Sequence, residues 1–372
     1  MPAGSALQCR PMNPLQTAID FAVAHETDWA RDPAADPHRW GIHLQDPAPY
    51  NVLRGPVHAR GPGSGVVLHR GRERAAWGEP DRADLTFSVA KTYLALLAGV
   101  AHDRGLLPDP DEPVGRRVPG IGFDSPHNAA VTWTMLLQQT SEWEGRCLGL
   151  PDTVDRWRVV AYGGGSAGGR KGDARPLHAP GTYWEYNDVR INQLSLALLH
   201  RFGEPLPQVF EQAILRPLGA GRDWRWAGYD DAWVTVPGPD GTPRRLQSVP
   251  GGTHWGAGVS ISARDQARVG ALLLAAGRHD GHALVSADWI GRMLRPCPIA
   301  PFYGMLLWLN RGRPPVYPAA GPDSVFMLGA GGHLTWIDPS RELVVVARWL
   351  DPQHTDRFIS HVVQAIDSFA AA

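Results

Sequence analysis

The first residues with the right types and spacing for nucleophilic catalysis are Ser88-Val-Ala-Lys91, at the start of the most apolar helical pattern in this 372-residue chain. Residues three apart on a helix share a face, so the hydroxyl and the amine would lie together. A serine hydroxyl is a weak nucleophile until a base takes its proton, and an enclosed lysine can lose its charge and act as that base. The pattern predicts a nucleophile at Ser88, although S-x-x-K alone occurs by chance in most long proteins.

Two further segments carry groups that could assist such a nucleophile. Tyr186 lies in residues 180–188 (PGTYWEYND), directly before a helical pattern, so its phenol can project from a loop and share proton transfer with a lysine. Residues 328–333 (LGAGGH) join two strand patterns, and glycine there lets backbone N–H groups approach an oxyanion closely. Taken alone, each has a plainer interpretation: a core tyrosine with a satisfied hydroxyl, and a glycine-rich hairpin.

The elements that would position these residues follow from hydrophobic periodicity. The first half of the chain predicts a helix over residues 15–24, a hairpin over 65–78 and the apolar helix over 88–105. Helical patterns follow at residues 131–139, 155–162, 189–200 and 206–215. The end of the chain predicts a helix over 262–276, strands over 305–309, 324–328, 334–337 and 343–349, and a terminal helix over 355–369.

This order of elements predicts an α+β fold. It consists of an antiparallel β-sheet flanked by N- and C-terminal helices, with an inserted all-helical domain. We place the sheet domain in residues 14–110 and 250–372, and the mainly helical insertion in residues 111–249.

Together and in this order, the three chemical segments resemble the motifs of the serine β-lactamase and penicillin-binding protein superfamily, in its class C branch. The S-x-x-K, Y-x-N and K-T-G motifs of that family correspond to the segments at Ser88, Tyr186 and residues 329–331. Four further segments look like family patterns and extend the resemblance over roughly residues 65–370: 105–114 (GLLPDPDEPV), 131–141 (VTWTMLLQQTS), 256–270 (GAGVSISARDQARVG) and 338–346 (DPSRELVVV).

The resemblance implies a β-lactamase/transpeptidase-like fold and a serine hydrolase that forms an acyl-enzyme on Ser88. It also implies that Lys91 and Tyr186 share the proton-transfer role and that the N–H groups of Ser88 and Gly332 stabilise the oxyanion. A one-residue shift in the strand alignment would move the second donor to Gly331 or His333, and His333 could then supply a cation.

Two departures from the family pattern bear on the substrate. Asp188 stands where the family has the amide of Y-x-N, and residues 329–331 (GAG) replace the K-T-G or H-x-G whose cation holds a carboxylate. β-Lactams and peptidyl-D-alanine present such a carboxylate, so we expect small esters or linear amides instead. The chain is thus more similar to the family VIII carboxylesterases and aminohexanoate-dimer hydrolases of the superfamily. A β-lactamase or D-alanyl-D-alanine carboxypeptidase is the alternative, and a non-catalytic penicillin-binding-like sensor is the alternative from another class.

Residues beside the matched motifs are predicted to bind the substrate: Asp188, Trp143, Trp184, His254, Gly331 and His333. None of the 15 histidines forms an H-E-x-x-H pattern, so we expect neither a metal nor a cofactor. Residues 164–168 (GGSAG) match G-x-S-x-G, but they lack the preceding strand and following helix that such a nucleophile requires.

Composition limits the class of partner. The 36 Lys+Arg and 37 Asp+Glu residues give a formal charge of −1, which provides no field for nucleic acid or an anionic membrane surface. No apolar run is long enough to span a membrane, and no secretory signal is visible at the N-terminus. The three cysteines are far apart, which favours reduced thiols in a cytoplasmic protein. A small ester or amide is the expected partner, and the sequence leaves the oligomeric state open.

Overall fold

The computed structural model describes residues 13–160 and 168–371. Within these residues the α-helices are Gln16–Ala24 (α1), Ala90–Asp103 (α2), Trp133–Leu137 (α3), Asp188–Phe202 (α4), Leu206–Phe210 (α5), Ala263–Leu274 (α6), Ala287–Met293 (α7) and Thr355–Ala371 (α8). The strands are Ser64–His69 (β1), Arg72–Trp77 (β2), Asp84–Leu85 (β3), Arg146–Cys147 (β4), Leu150–Pro151 (β5), Arg225–Ala227 (β6), Trp233–Pro237 (β7), Pro243–Gln247 (β8), Gly258–Ile261 (β9), Arg278–His279 (β10), His282–Ala283 (β11), Trp308–Leu309 (β12), Val325–Gly329 (β13), His333–Asp338 (β14) and Leu343–Arg348 (β15).

The main sheet has six antiparallel strands in the order β12-β13-β14-β15-β1-β2. At the centre of this sheet a strand from the first part of the chain meets one from the last part: β1 pairs with β15, and Val66 lies opposite Val346. Every residue of β15 is buried, as expected for an apolar strand covered on both faces. Helix α6 packs against β1, β14 and β15, and α1 packs against α8. The predicted antiparallel sheet with terminal helices is confirmed.

The helix that begins near Ser88 is the central helix of the protein. All residues from Ala90 to Ala101 are buried, which matches a segment that is apolar on every face. A single 3-10 turn, Phe87–Val89, leads into it. Ser88 therefore lies at the N-terminal end of a helix that the rest of the fold encloses.

The helix predicted over residues 155–162 is wrong for residues 155–160, the part of it that the structure describes. In its place a 3-10 turn, Asp152–Asp155, ends at Asp155. Trp157 has φ +62°, and its N–H donates to Glu185 Oε1 at 3.0 Å rather than to the preceding turn. The positive φ of Trp157 and its hydrogen bond to Glu185 both prevent a helix here. Glu185 lies 28 residues further along the chain.

The stretch predicted as a helical insertion is mixed in the described residues. Residues 111–249 contain α3, α4 and α5 but also the short strands β4 to β8. Its status as a separate inserted domain remains a prediction.

No helix among the described residues is long and apolar enough to cross a membrane. Cys147 and Cys297 are buried and unpaired, and Cys9 lies outside the described residues.

Candidate active site

Ser88 and Lys91 lie together, as their spacing predicts. Lys91 Nζ donates to Ser88 Oγ at 2.8 Å. Lys91 is 1% exposed and Ser88 is 9% exposed, so both residues are buried and Ser88 is the more accessible of the two. The position at the start of α2 favours negative charge on Ser88 Oγ, because the helix dipole is positive there.

The turn before Ser88 is held in an uncommon backbone conformation. Phe87 has φ +52°, in the left-handed region that bulky residues rarely adopt. Its ring is fully buried and packs edge-on against Trp29 and Trp349. Aromatic packing thus offsets the backbone strain and fixes the direction from which the chain enters the nucleophile.

Asp188 is the direct partner of Lys91. The two form a buried ion pair, Lys91 Nζ to Asp188 Oδ1, with both side chains at most 5% exposed. The start of α4 directs Asp188 to this place, because Asn187 Oδ1 caps the helix by accepting from the N–H groups of Val189 and Arg190. Lys91 thus links Asp188 to Ser88 and holds the serine as a hydrogen-bond donor.

Asp188 is also the centre of a larger group of buried charges. Its Oδ2 accepts from Arg158 at 2.7 Å and lies 2.8 Å from His254 Nδ1. Burial by itself would raise the pKa of Asp188, but the charges of Arg158 and Lys91 and the hydrogen bond from His254 hold it well below its ordinary value. Both oxygens therefore have protein partners, and the expected contact of Asp188 with substrate remains a prediction.

We call the whole group the buried charge network. Its members are Asp46, Lys91, Asp155, Arg158, Lys171, Asp188 and His254. His254 bridges two carboxylates, with Nε2 2.9 Å from Asp46 Oδ2 and Nδ1 2.8 Å from Asp188 Oδ2. Besides the imidazole, the network holds three carboxylates and three cations, and these six charges balance. Such balance is what allows ionised groups to remain inside a protein.

Three members of the network have the donor types of a metal site. The ligand atoms of Asp46, Asp155 and His254 lie within 4.8 Å of one another. The ammonium of Lys171 already lies among them: it pairs with Asp46, lies 3.1 Å from Asp155 Oδ1 and 3.4 Å from His254 Nε2. A protein cation thus fills the place that a metal ion would take, and the donors do not fit an additional one.

Tyr186 lies beside the same cations. Lys91 Nζ is 4.8 Å and Arg158 Cζ 5.0 Å from the centroid of its ring, and the side chain is buried. Trp184 borders it in an aromatic group with Phe302 and Trp308, whose rings lie within 6.1 Å of the Trp184 ring. Tyr186 therefore lies beside Lys91, and Trp184 borders Tyr186.

Trp143, by contrast, belongs to another part of the molecule. Its indole N–H donates to the Gly122 carbonyl at 2.8 Å, and it lines a separate cavity of about 790 Å³. No contact of Trp143 with Ser88, Lys91 or Tyr186 is found among the described residues.

The glycine segment at residues 329–332 contacts the chain before Ser88 through Gly329. A Cβ on Gly332 would lie 1.8 Å from the carbonyl oxygen of Leu350, and one on Gly331 would meet Trp349 and Trp29. Both glycines thus form the turn between β13 and β14. A Cβ on Gly329 would lie 2.3 Å from the carbonyl oxygen of Thr86, two residues before Ser88. Gly329, the last residue of β13, is therefore the glycine in close contact with the chain that leads into Ser88.

His333 is unsuited to supply the missing cation. It is 2% exposed, its ring packs against Phe87 and Trp349, and neither ring nitrogen has a hydrogen-bond partner within the described part of the chain. Burial, with the nearby charges of Arg348 and Arg60, lowers its pKa well below the ordinary value. The ring is thus neutral at pH 7.

Sequence reasoning missed five residues here: Asp46, Asp155, Arg158, Lys171 and Gly252. A Cβ on Gly252 would lie 3.2 Å from Lys91 Nζ and 3.4 Å from Ser88 Oγ, so this glycine keeps the nucleophile uncrowded. The glycine pair two residues before His254 was a visible signal for it. The four charged residues gave no such signal. Asp46 and Lys171 lie in irregular segments, and Asp155 and Arg158 lie in the segment wrongly predicted as a helix. The G-x-S-x-G serine, Ser166, lies outside the described residues.

Comparison with known proteins agrees with this geometry. The family model described as Beta-lactamase matches residues 62–349. Among solved structures, a penicillin-binding protein homologue from Caulobacter crescentus is 17% identical with a TM-score of 0.58, covering 91% of this chain and 99% of that one. A candidate 6-aminohexanoate-dimer hydrolase from Bacillus anthracis is 16% identical with a TM-score of 0.59, covering 83% and 79%. EstCE1, a hydrolase with promiscuous acyltransferase activity, is 19% identical with a TM-score of 0.57, covering 82% and 93%.

At these identities the solved structures share the fold, and the family match extends over most of the chain. With the motif at Ser88 and Lys91 in its expected place, the chain belongs to the β-lactamase family, within the superfamily of serine β-lactamases and penicillin-binding proteins.

Proposed function

We propose that this protein is a serine hydrolase that forms an acyl-enzyme on Ser88 and cleaves small neutral esters or linear amides. The observation that carries the proposal is the 2.8 Å hydrogen bond from Lys91 to Ser88 Oγ in an otherwise buried site at the start of α2. A purely structural serine would need neither a charged lysine beside it nor the carboxylate that holds that lysine.

In the proposed reaction Tyr186, as phenolate, accepts the proton of Ser88 while Oγ bonds to the substrate carbonyl carbon. The oxyanion receives N–H groups, one from Ser88 and one from the end of β13. The contact of Gly329 with Thr86 favours Ala330 over Gly332 as the second donor. When the tetrahedral intermediate collapses, the bond to the leaving group breaks and Tyr186 returns the proton to it.

Deacylation repeats these steps with water. The tyrosinate takes a proton from water, the hydroxide oxygen bonds to the acyl carbon, and the bond to Ser88 Oγ breaks as Oγ recovers the proton. Lys91 stays an ammonium throughout and stabilises charge on both oxygens.

The charges of the site favour a neutral substrate. Within the described residues, Lys91, Arg158 and Lys171 are each already paired with carboxylates. A substrate carboxylate would lose its hydration without gaining an unpaired cation. The rings of Trp184, Phe302 and Trp308 offer an apolar surface beside Tyr186 for an uncharged acyl or alcohol group.

Covalent labelling tests the nucleophile. A fluorophosphonate should add once to the intact protein, on the peptide that contains Ser88, and Ser88→Ala should abolish the adduct. Equal labelling of the variant would refute the assignment. The absence of any label or ester turnover in the wild type would instead support the sensor.

Substrate choice is tested with p-nitrophenyl butyrate and nitrocefin. We expect measurable kcat/KM on the ester and weak or no hydrolysis of the cephalosporin. A nitrocefin value equal to or above the ester value would make a β-lactamase the better description.

A further inference from the structure

We propose that Arg158 is a positioning residue for proton transfer: its guanidinium supplies, from outside the three family motifs, the second positive charge that stabilises Tyr186 as a phenolate. This inference rests on the proposed function, because it concerns the base of the same site.

Geometry places Arg158 next to the phenol and fixes it there. Its Cζ lies 5.0 Å from the Tyr186 ring centroid, and its side chain is 11% exposed. NH1 bonds Asp188 Oδ2 at 2.7 Å and Asp155 Oδ2 at 3.1 Å. Burial by itself would lower the pKa of Arg158, but the charges of Asp188, Asp155 and Tyr186 raise it above its ordinary value. The guanidinium is therefore permanently charged and held in one orientation.

A second cation is needed because of the acid that this chain has in place of an amide. Lys91 contributes one positive charge beside Tyr186, but Asp188 contributes one negative charge at nearly the same place. With these two alone the surroundings of the phenol would be neutral and would not favour a phenolate. Arg158 changes the local sum from zero to +1.

Lys91 and Arg158 are the network members that lie over the Tyr186 ring in the described residues. Asp46, Asp155 and Lys171 bring the total charge of the network to zero, but they do so through ion pairs with one another and with Arg158 and His254. The neighbouring phenol of Tyr303 is buried, and burial together with the charge of Tyr186 raises its pKa well above the ordinary range, so it stays neutral. Asp155 pairs with Lys171 as well as with Arg158. His254 lies on the far side of Asp188, where it bonds Asp46.

This arrangement also explains how the chain tolerates glycine in the third motif. Residues 329–331 carry no cation. Arg158 comes from the irregular segment after the 3-10 turn Asp152–Asp155, so the positive charge reaches Tyr186 from a different part of the chain. Because both Asp155 and Asp188 already bind its guanidinium, it stabilises charge within the site and does not anchor a substrate carboxylate.

The test compares Arg158→Met and Arg158→Lys with Arg156→Met. Arg156 is the matched control: it is also buried, lies two residues away and pairs with Asp152, outside the contacts of Tyr186. For each protein the pH profile of kcat/KM on p-nitrophenyl butyrate and the urea unfolding curve are measured. Ionisation of Tyr186 is followed separately by ultraviolet tyrosinate absorbance, with Tyr186→Phe as the reference.

We expect Arg158→Met to move the acid limb of the profile to higher pH by about one unit and so to lower kcat/KM at pH 7 by up to about 10-fold. The tyrosinate transition of Tyr186 should move in the same direction. Arg158→Lys should recover most of both effects. Arg156→Met should lose stability without moving either transition.

An unmoved acid limb and tyrosinate transition in Arg158→Met would overturn the inference, as would equal shifts in Arg156→Met. The absorbance titration needs no turnover. If the wild type does not label at Ser88 but Arg158→Met still shifts the tyrosinate transition, the proposed function is refuted. The charge relation between Arg158 and Tyr186 is then established on its own.

Discussion

Lys91 and Asp188 form a buried ion pair although one comes from the second helix and the other from the fourth. The lysine is bound on one side by this carboxylate and on the other by Ser88 Oγ. The sequence pattern alone presents Lys91 as a base that gives up its charge. In the proposed mechanism Lys91, paired with Asp188, instead orients the nucleophile and leaves proton transfer to Tyr186.

Restoring the family's amide with Asp188→Asn should therefore harm this protein. Lys91 and Arg158 would both lose a buried counter-charge, and breaking a buried pair typically costs about 3–5 kcal/mol. We expect a lower free energy of unfolding in urea and loss of most esterase activity. Asp240→Asn is the control, because its ion pair with Arg244 is exposed and screened by solvent, so its loss should leave stability nearly unchanged. An Asp188→Asn variant as stable and active as the wild type would contradict the assigned role.

Lys91 and Tyr186 should act as a unit, since the ammonium lies 4.8 Å from the tyrosine ring centroid. Lys91→Ala and Tyr186→Phe should each lower kcat/KM by about 10²–10⁴-fold, the usual range for proton-transfer assistance. The double variant should lose little more than the worse single variant. If instead the two losses multiply, the residues work independently and the shared role is wrong.

Gly252→Ala should reduce activity without unfolding the protein. The added methyl would lie 3.2 Å from Lys91 Nζ and 3.4 Å from Ser88 Oγ, close enough to displace their hydrogen bond by a few tenths of an ångström. We expect kcat/KM to fall by about 10-fold or more, because misplacement of reacting groups is costly. Gly291→Ala is the matched control, since nothing lies within 4 Å of its added Cβ. Equal kcat/KM in the two variants would show that the space beside Gly252 is unimportant.

Acid should destabilise the protein through Glu142. Burial alone would raise the pKa of this carboxyl, but hydrogen bonds from Arg175 and the charge of Arg190 lower it to about 2, from an ordinary 4.5. Because the folded pKa is depressed, the stabilisation is complete above about pH 4.5 and is lost as the pH falls toward 2. The difference corresponds to about 3 kcal/mol.

The measurement is the free energy of unfolding between pH 7 and pH 3. Glu142→Gln should be less stable at pH 7 and should show a flatter decline over the acid range. Glu211→Gln, at an exposed position, should follow the wild type. A Glu142→Gln curve parallel to that of the wild type would argue against this source of acid sensitivity.

The regular elements were predictable because local periodicity determines them. The hairpin of β1 and β2, the apolar helix α2 and the strands β13 to β15 all lie where their patterns predict. The helix predicted over residues 155–162 failed because its alternative, the kink at Trp157, depends on a hydrogen bond that the Trp157 N–H donates to Glu185. Periodicity within a window contains no information about such a distant partner.

The candidate site was predictable only where it consists of local motifs. Ser88, Lys91 and Tyr186 belong to short motifs, which can be recognised in a single sequence. Arg158 and Lys171 belong to no motif, and only the folded chain brings them to Asp188 and Asp155. The second oxyanion donor depended on a strand register, where a shift of a few residues exchanges Gly332 for a neighbour of Gly329.

The position of Asp46 has a consequence for the order in which the enzyme is built. Asp46 comes from residues 31–62, which contain single-turn helices but no strand, and its bond to His254 joins residues 208 apart in the chain. Contacts over such separations form late, since a long loop must close before they contribute. By the same measure the centre of the main sheet also closes late, because β1 pairs with β15 across a still longer stretch of chain. The network that fixes Asp188, and through it Lys91, is thus completed in the same late steps of folding. In refolding, recovery of esterase activity should therefore lag behind recovery of helical structure.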